Sequence, residues 1–295
     1  MLAAGEAAGI QALRRLAASE HHLIAVLAAT ADDTARGATV AAVAEREGVP
    51  LWPAELVRDP TLAQKLTAEG VDLLLNVHSL LLVRAEVVAA PRVGSFNLHP
   101  GPLPEYAGLN APSWAIANGE HRHAATLHWM EPGLDTGPVA YEASFPIEPE
   151  DTGLSLSAKC VRHGLPLLDE LLAAEPAAIP RRPQDLSRRR LYTRGEIPYG
   201  GLVDWSLPAR QILDFVRASD YGPFPSPWGR PQTRLGGVEL RVLRAAPTRE
   251  ATTEPPGTLG ARGGGGVRVA AADEWVVVER VEVDGGALDA GEALA

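Results

Sequence analysis

Short apolar runs alternate with helix-patterned segments as far as Leu172, and this alternation restricts the fold more than any other feature of the chain. Val71–Val77 is apolar apart from Asp72 and Asn76, so it has no polar face to turn to water. A strand of that kind must be covered on both sides, as parallel strands joined by crossover helices are. The segments between such runs carry helix signals. Ala7–Ala18 is Ala- and Leu-rich at helical spacing, Thr39–Glu47 stops at Gly48, and Asp59 precedes Pro60 in a helix that Gly70 closes. Gly94–His99 predicts a strand ended by Pro100 and Pro102, and Asn110 is placed to cap a helix over Ala111–Asn118. Strands over Ala124–Met130 and Val139–Ile147 and a helix over Leu154–Leu172 follow. Only Met1–Ala4 precede Gly5, so the opening strand is either very short or starts upstream. The fold class expected is α/β, a Rossmann-like, largely parallel sheet.

From Ala173 to Arg194 the composition shifts to Ala, Pro and Arg. The expected organisation is a catalytic domain over 1–180, a linker over 181–200 and a C-terminal domain over 201–295. That last domain should be small and β-rich, with a barrel as one way to arrange it. Val238–Leu243, Val267–Ala271 and Trp275–Val283 predict its strands, and Ala209–Ser219 predicts a helix. Gly263–Gly266 predicts a turn and not a phosphate loop, since no Lys-Ser/Thr pair follows it.

Composition narrows the function. Formal net charge is −10, and the one dense basic run, Arg181 to Arg190, lies in the expected linker, so nucleic acid is not expected as a partner. No apolar run approaches the roughly 20 residues that span a bilayer, so neither is a membrane. Cys160 is the only cysteine, which removes intramolecular disulfides and cysteine-based zinc sites and, with no signal-peptide pattern at the start, points to the cytoplasm. His121 and His123 sit in a polar loop without a third ligand, and no metal is expected.

Asn97 and His99 are two apart on a strand and so face one side, at a carboxyl end where α/β sheets place ligands. Farther on, Pro132-Gly133 forces a turn that leaves Asp135 in a short loop before Gly137. Taken singly, a strand-end Asn and His or a turn Asp are better explained by structure than by chemistry. Together, the segments carry Asn97-x-His99-Pro100, Leu103-Pro104-x-Tyr106-x-Gly108, Thr126-x-His128-x-Met130 and Leu134-Asp135-x-Gly137. This combination resembles the formyltransferases that use 10-formyltetrahydrofolate. The likeness runs from Val71 to Leu172 and, more loosely, to Gly201-Leu202-Val203-Asp204-Trp205.

The resemblance implies a catalytic trio of Asn97, His99 and Asp135. Moving a formyl group from a folate nitrogen to an amine develops an oxyanion, which an amide N–H of Asn97 and a donor at His99 would stabilise. A proton must leave the amine and reach the departing nitrogen, a shuttle suited to a histidine held by a carboxylate. The acceptor is its own nucleophile, so Cys160 is expected to be a buried helix residue. The resemblance also places the folate against Ser79, Leu80, Leu81, Leu82 and Val83 and against the Asp135 loop at Leu134 and Gly137. Two departures touch this part: His78-Ser79-Leu80 where relatives often have Ala-Tyr-Gly, and Ala124 where a Gly commonly precedes the Thr-x-His strand. His128 is expected to be packed behind the trio. The acceptor implied is a primary amine of a small molecule or of a carrier-bound amino acid, as in specialised metabolism. A sugar nucleotide, methionyl-tRNA, a hydrolase reaction and a non-catalytic folate-binding relative are the alternatives. Against tRNA stands the segment Ala31–Arg36, which lacks a basic cluster.

Overall fold

The computed structural model describes residues 1–29 and 38–294, so the Ala31–Arg36 segment lies outside the described residues. The chain forms two compact units. The first comprises Met1–Gly108, Ala124–Phe145 and Cys160–Leu191; the second comprises Leu109–His123, Pro146–Lys159 and the chain from Tyr192 onward.

The first unit is built on strands β1 (Leu2–Ala4), β2 (Val26–Ala28), β3 (Leu51–Pro53), β4 (Leu73–Val77), β5 (Gly94–His99), the two-residue β6 (Ala107–Gly108), β7 (Arg122–Trp129) and β8 (Val139–Pro146). Seven of them form one sheet in the order β3-β2-β1-β4-β5-β7-β8. Pairing is parallel from β3 to β5 and turns antiparallel between β5 and β7. The Rossmann-like, largely parallel expectation is met, with β1 three residues long. Alternation of side chains separates two cores. Leu2, Val26, Leu75, Phe96, Leu98 and Leu127 pack on one face with helices α1 (Glu6–Ala17) and α2 (Val40–Arg46). Ala3, Leu27 and Leu74 pack on the other with α3 (Thr61–Ala68) and α4 (Ala85–Val88). Asp59 accepts from Thr61 N–H at 2.8 Å, as its place before Pro60 predicted, and Thr39 caps α2 through Ala42 N–H at 3.1 Å. Helix α5 (Ala111–Ala117) corrects one expectation: Asn110 precedes it at φ 58° but makes no side-chain cap, because its backbone is left-handed and not extended.

After α6 (Gly153–Ala173), the second unit adds α7 (Ala209–Ala218) and an antiparallel sheet. With β9 at Leu191–Tyr192, the sheet strands are β10 (Gln232–Leu235), β11 (Val238–Ala251), β12 (Leu259–Gly263), β13 (Gly266–Ala270), β14 (Glu274–Val283) and β15 (Gly286–Asp289). They run β10-β11-β14-β13-β12, with β15 also on β14. Alternate residues Val267 and Val269 on β13 and Val276 and Val278 on β14 share a core with Ile212 and Val216 of α7. The expected Gly263–Gly266 turn is the β12–β13 hairpin: Gly264 and Gly265 take φ 61° and 84°, the two left-handed positions that a tight hairpin requires. Among the described residues no helix is long and apolar enough to cross a membrane.

Candidate active site

Sheet register builds the site. Asn76 on β4 lies opposite Asn97 on β5, Asn97 lies opposite His128 on β7, and His99 lies opposite Thr126. Directly opposed residues point to the same face. The neighbours of these groups in each strand, Leu75, Phe96, Leu98 and Leu127, go to the core on the other side. A row of polar side chains therefore crosses the carboxyl ends of the parallel strands, all within the first unit.

Asp135 reaches this row from the turn after β7. Its φ of 53° is left-handed, a conformation that non-glycine residues rarely adopt and that often marks a functional position. Several bonds hold the turn in that shape. Gln184 Nε2 donates to the carbonyls of Asp135 (3.0 Å) and Gly137 (2.6 Å), and Arg189 donates to that of Leu134 (2.8 Å). Gly137 has to be glycine, since a Cβ there would meet Trp129 O at 1.9 Å. Arg181 lies over the Trp129 ring, 4.0 Å from its centroid, and Arg182 exchanges backbone hydrogen bonds with Val139. The front part of the expected linker is thus laid against the first unit and braces the Asp135 turn. Sequence reasoning missed Gln184, for which the sequence carried no signal.

The Asp135 carboxylate accepts from Gly108 N–H at 2.8 Å on Oδ2 and from Asn97 Nδ2 at 3.3 Å on Oδ1. His99 Nδ1 stands 3.6 Å from Oδ2, and His128 Nε2 stands 3.5 Å from Oδ1. Carbonyl contacts fix the tautomers, because a carbonyl can only accept. His99 Nε2 donates to Tyr106 O at 2.7 Å, so in the neutral ring its Nδ1 is bare and faces Asp135. His128 Nδ1 donates to Trp129 O at 2.8 Å, so its Nε2 accepts from Asn97 Nδ2 at 3.0 Å. The trio that the motifs implied is assembled, and His128 joins it as a direct partner of Asn97. The strand register could have signalled this, because Thr126-x-His128 alternates in phase with Asn97-x-His99.

Burial drives the His99 pKa below the ordinary histidine value, and the Asp135 charge opposes that only in part. For Asp135, burial pushes upward but is outweighed by the charge of His99, the contacts of His128 and the Gly108 N–H, which together hold the carboxyl well below the usual range. The resting state at neutral pH is therefore a carboxylate facing an unprotonated imidazole nitrogen.

A family profile described as formyl transferase matches residues 5–168, and one described as formyl transferase, C-terminal domain, matches residues 198–295. The chain belongs to the formyltransferase family. A methionyl-tRNA formyltransferase of Synechococcus sp. (strain JA-3-3Ab) is 32% identical to this formyltransferase over 252 residues, which is 82% of this chain and 76% of that protein. Another, of Chloroflexus aurantiacus (strain ATCC 29366 / DSM 635 / J-10-fl), is 30% identical over 263 residues, 87% of this chain and 83% of that protein. The solved N-formyltransferase of Helicobacter canadensis, in complex with folinic acid and dTDP-3-aminofucose, has a TM-score of 0.71 at 17% identity over 94% of this chain and 97% of its own. That likeness shows a shared fold.

As a member of the family, this formyltransferase takes its formyl group from 10-formyltetrahydrofolate. The Ser79–Val83 segment meets the polar row at the Ser79 carbonyl, which accepts from Asn76 Nδ2 at 3.4 Å, and Leu134 directly precedes Asp135. Leu80, Leu82 and Leu134 are 61%, 67% and 42% exposed, and the chain from Ser79 to Val83 has no regular secondary structure. Leu81 and Val83 are partly buried and pack against the core over α3 and α4. His78 ends β4 at φ 54°, and its Nδ1 lies 3.3 Å from Glu6 Oε2; this contact lowers the Glu6 pKa. Cys160 is buried, with its Sγ toward Pro100 O at 3.6 Å, and burial pushes its thiol up and away from reactivity. Among the described residues no group of three or more His, Cys, Asp or Glu could hold a metal ion.

Proposed function

We propose that this formyltransferase moves the formyl group of 10-formyltetrahydrofolate to a primary amine of a small molecule or a carrier-bound amino acid. The observation that carries the reading is the bare Nδ1 of His99 facing the Asp135 carboxylate. A proton released by an attacking amine and taken up at that nitrogen is at once paired with a buried charge, and it can be returned to the departing nitrogen. Asn97 supplies the electrostatic part. Its longer N–H contact, 3.3 Å to Asp135, is the one that the formyl oxygen displaces as negative charge develops there. Leu80, Leu82 and Leu134 hold the donor's ring. The acceptor amine is the nucleophile, and no residue is acylated.

Aminoacylated tRNA is the second reading for the acceptor. It is favoured by the relatives named methionyl-tRNA formyltransferase, which match more than four-fifths of the chain. The net charge of −10 opposes it without removing it.

Incubation with 10-formyltetrahydrofolate and a panel of acceptors tests the proposal. The panel holds free amino acids, an aminoacylated carrier protein, an amino-sugar nucleotide and methionyl-tRNA. The expected result is tetrahydrofolate released in step with one formylated amine. Release without any acceptor would identify a hydrolase, and binding without turnover a folate-binding protein.

A further inference from the structure

The polar row extends one residue past the trio, to Asn76. This residue is 91% buried by its 9% relative exposure, and its Nδ2 donates to Asn97 Oδ1 at 2.8 Å and, at 3.4 Å, to the carbonyl of Ser79. Its own Oδ1 is buried and has no hydrogen-bond partner. Proteins leave few buried acceptors unpaired, and each one calls for a reason.

The reason is set at the other end of the row. Asp135 is ionised and can only accept, so Asn97 must turn its amide nitrogen to it and to the bare Nε2 of His128. That leaves Asn97 Oδ1 pointing at Asn76, which in turn must present its own nitrogen. Turning the Asn76 amide round would set its oxygen against two acceptors, the Asn97 Oδ1 and the Ser79 carbonyl oxygen. The unpaired Oδ1 of Asn76 is thus the end of a chain of donors whose direction begins at the Asp135 charge.

We propose that Asn76 is a positioning residue for formyl transfer, holding the Asn97 amide with its oxygen turned away and both N–H groups aimed into the site. The inference rests on the reading of Asn97 as the donor to the formyl oxygen. It assigns a task to a position that the sequence shows only as a polar interruption of an apolar strand.

The test uses the full chain with the acceptor that the panel selects, comparing Asn76→Asp, Asn76→Leu and Asn97→Ala. A carboxylate at 76 can only accept, so it draws the Asn97 N–H groups back and turns the Asn97 oxygen toward His128. We expect kcat to fall by ~10-fold or more, on the scale of a misdirected oxyanion donor, with KM for the donor changed less than twofold. We also expect the 15N signal of His128 Nε2 at pH 7 to move from that of a bare nitrogen to that of a protonated one. In Asn76→Leu the Asn97 amide keeps its direction through Asp135 and His128, so kcat falls less than in Asn76→Asp, and the thermal midpoint does not drop. A kcat for Asn76→Asp within twofold of the unchanged chain, or an unmoved His128 signal, overturns the inference. Should Asn76→Asp not fold, an Asn76→Leu kcat equal to that of the unchanged chain overturns it as well. Unchanged turnover in Asn97→Ala sinks the underlying role of Asn97; impaired Asn97→Ala beside normal Asn76→Asp sinks the Asn76 inference alone.

Discussion

His99 Nδ1 and Asp135 Oδ2 face each other across 3.6 Å with no hydrogen between them, because the one N–H of the neutral ring is spent on the Tyr106 carbonyl. Two acceptors held face to face in a buried place are a receptor for one proton. The pH dependence of kcat/KM follows. His99 works in its neutral form and burial lowers its pKa, so activity should fall on the acid side only below the ordinary value of about 6.5. The Asp135 charge raises the His99 pKa, so its removal in Asp135→Asn should move the acid limb of the remaining activity to still lower pH. A pH profile of kcat/KM for both proteins checks this. An acid limb that moves upward in the variant would show that some other group titrates.

Gln184 ties two carbonyls of the Asp135 turn and touches neither imidazole in the site. Its loss should loosen the carboxylate without unfolding the unit, since each neutral hydrogen bond contributes about 1 kcal/mol. Gln184→Ala should therefore lower kcat roughly 5- to 30-fold while the circular dichroism spectrum stays the same. Steady-state kinetics beside that spectrum decide the matter, and full activity would mean that the turn holds itself.

Much of this arrangement was legible before any coordinates. The Gly94–His99 strand ends where Pro100 and Pro102 predict, and Asn97 and His99 share a face because alternate strand residues must. Asp135 was legible through its Pro-Gly turn and the paired motifs. Three things were not. His128 and Asn76 belong to the row only through cross-strand register, which a sequence does not state. Gln184 acts from 49 residues beyond Asp135, in a segment whose Pro and Arg content reads as connector. Asn110 had the residue type of a cap but took the left-handed backbone that Asn also tolerates, and residue type alone does not choose between the two. Long-range pairing decided the first two of these.

Leu82, 67% exposed, is the most exposed of the large apolar residues in the Ser79–Val83 segment. If it covers the donor's ring, Leu82→Ser should raise KM for 10-formyltetrahydrofolate about 5- to 30-fold, from the ~1–2 kcal/mol that burying part of a leucine contributes. The kcat should stay within twofold, because this contact is the same in ground and transition states. Initial rates over a range of donor concentration measure both constants. A lowered kcat at unchanged KM would place Leu82 outside the donor site.

The most direct measurement is the turnover of formyl transfer in His99→Ala, taken beside its thermal midpoint. With the proton acceptor gone and the fold intact, the rate should drop by at least ~10². A folded His99→Ala protein that transfers formyl groups at nearly the unchanged rate would contradict the account at its root.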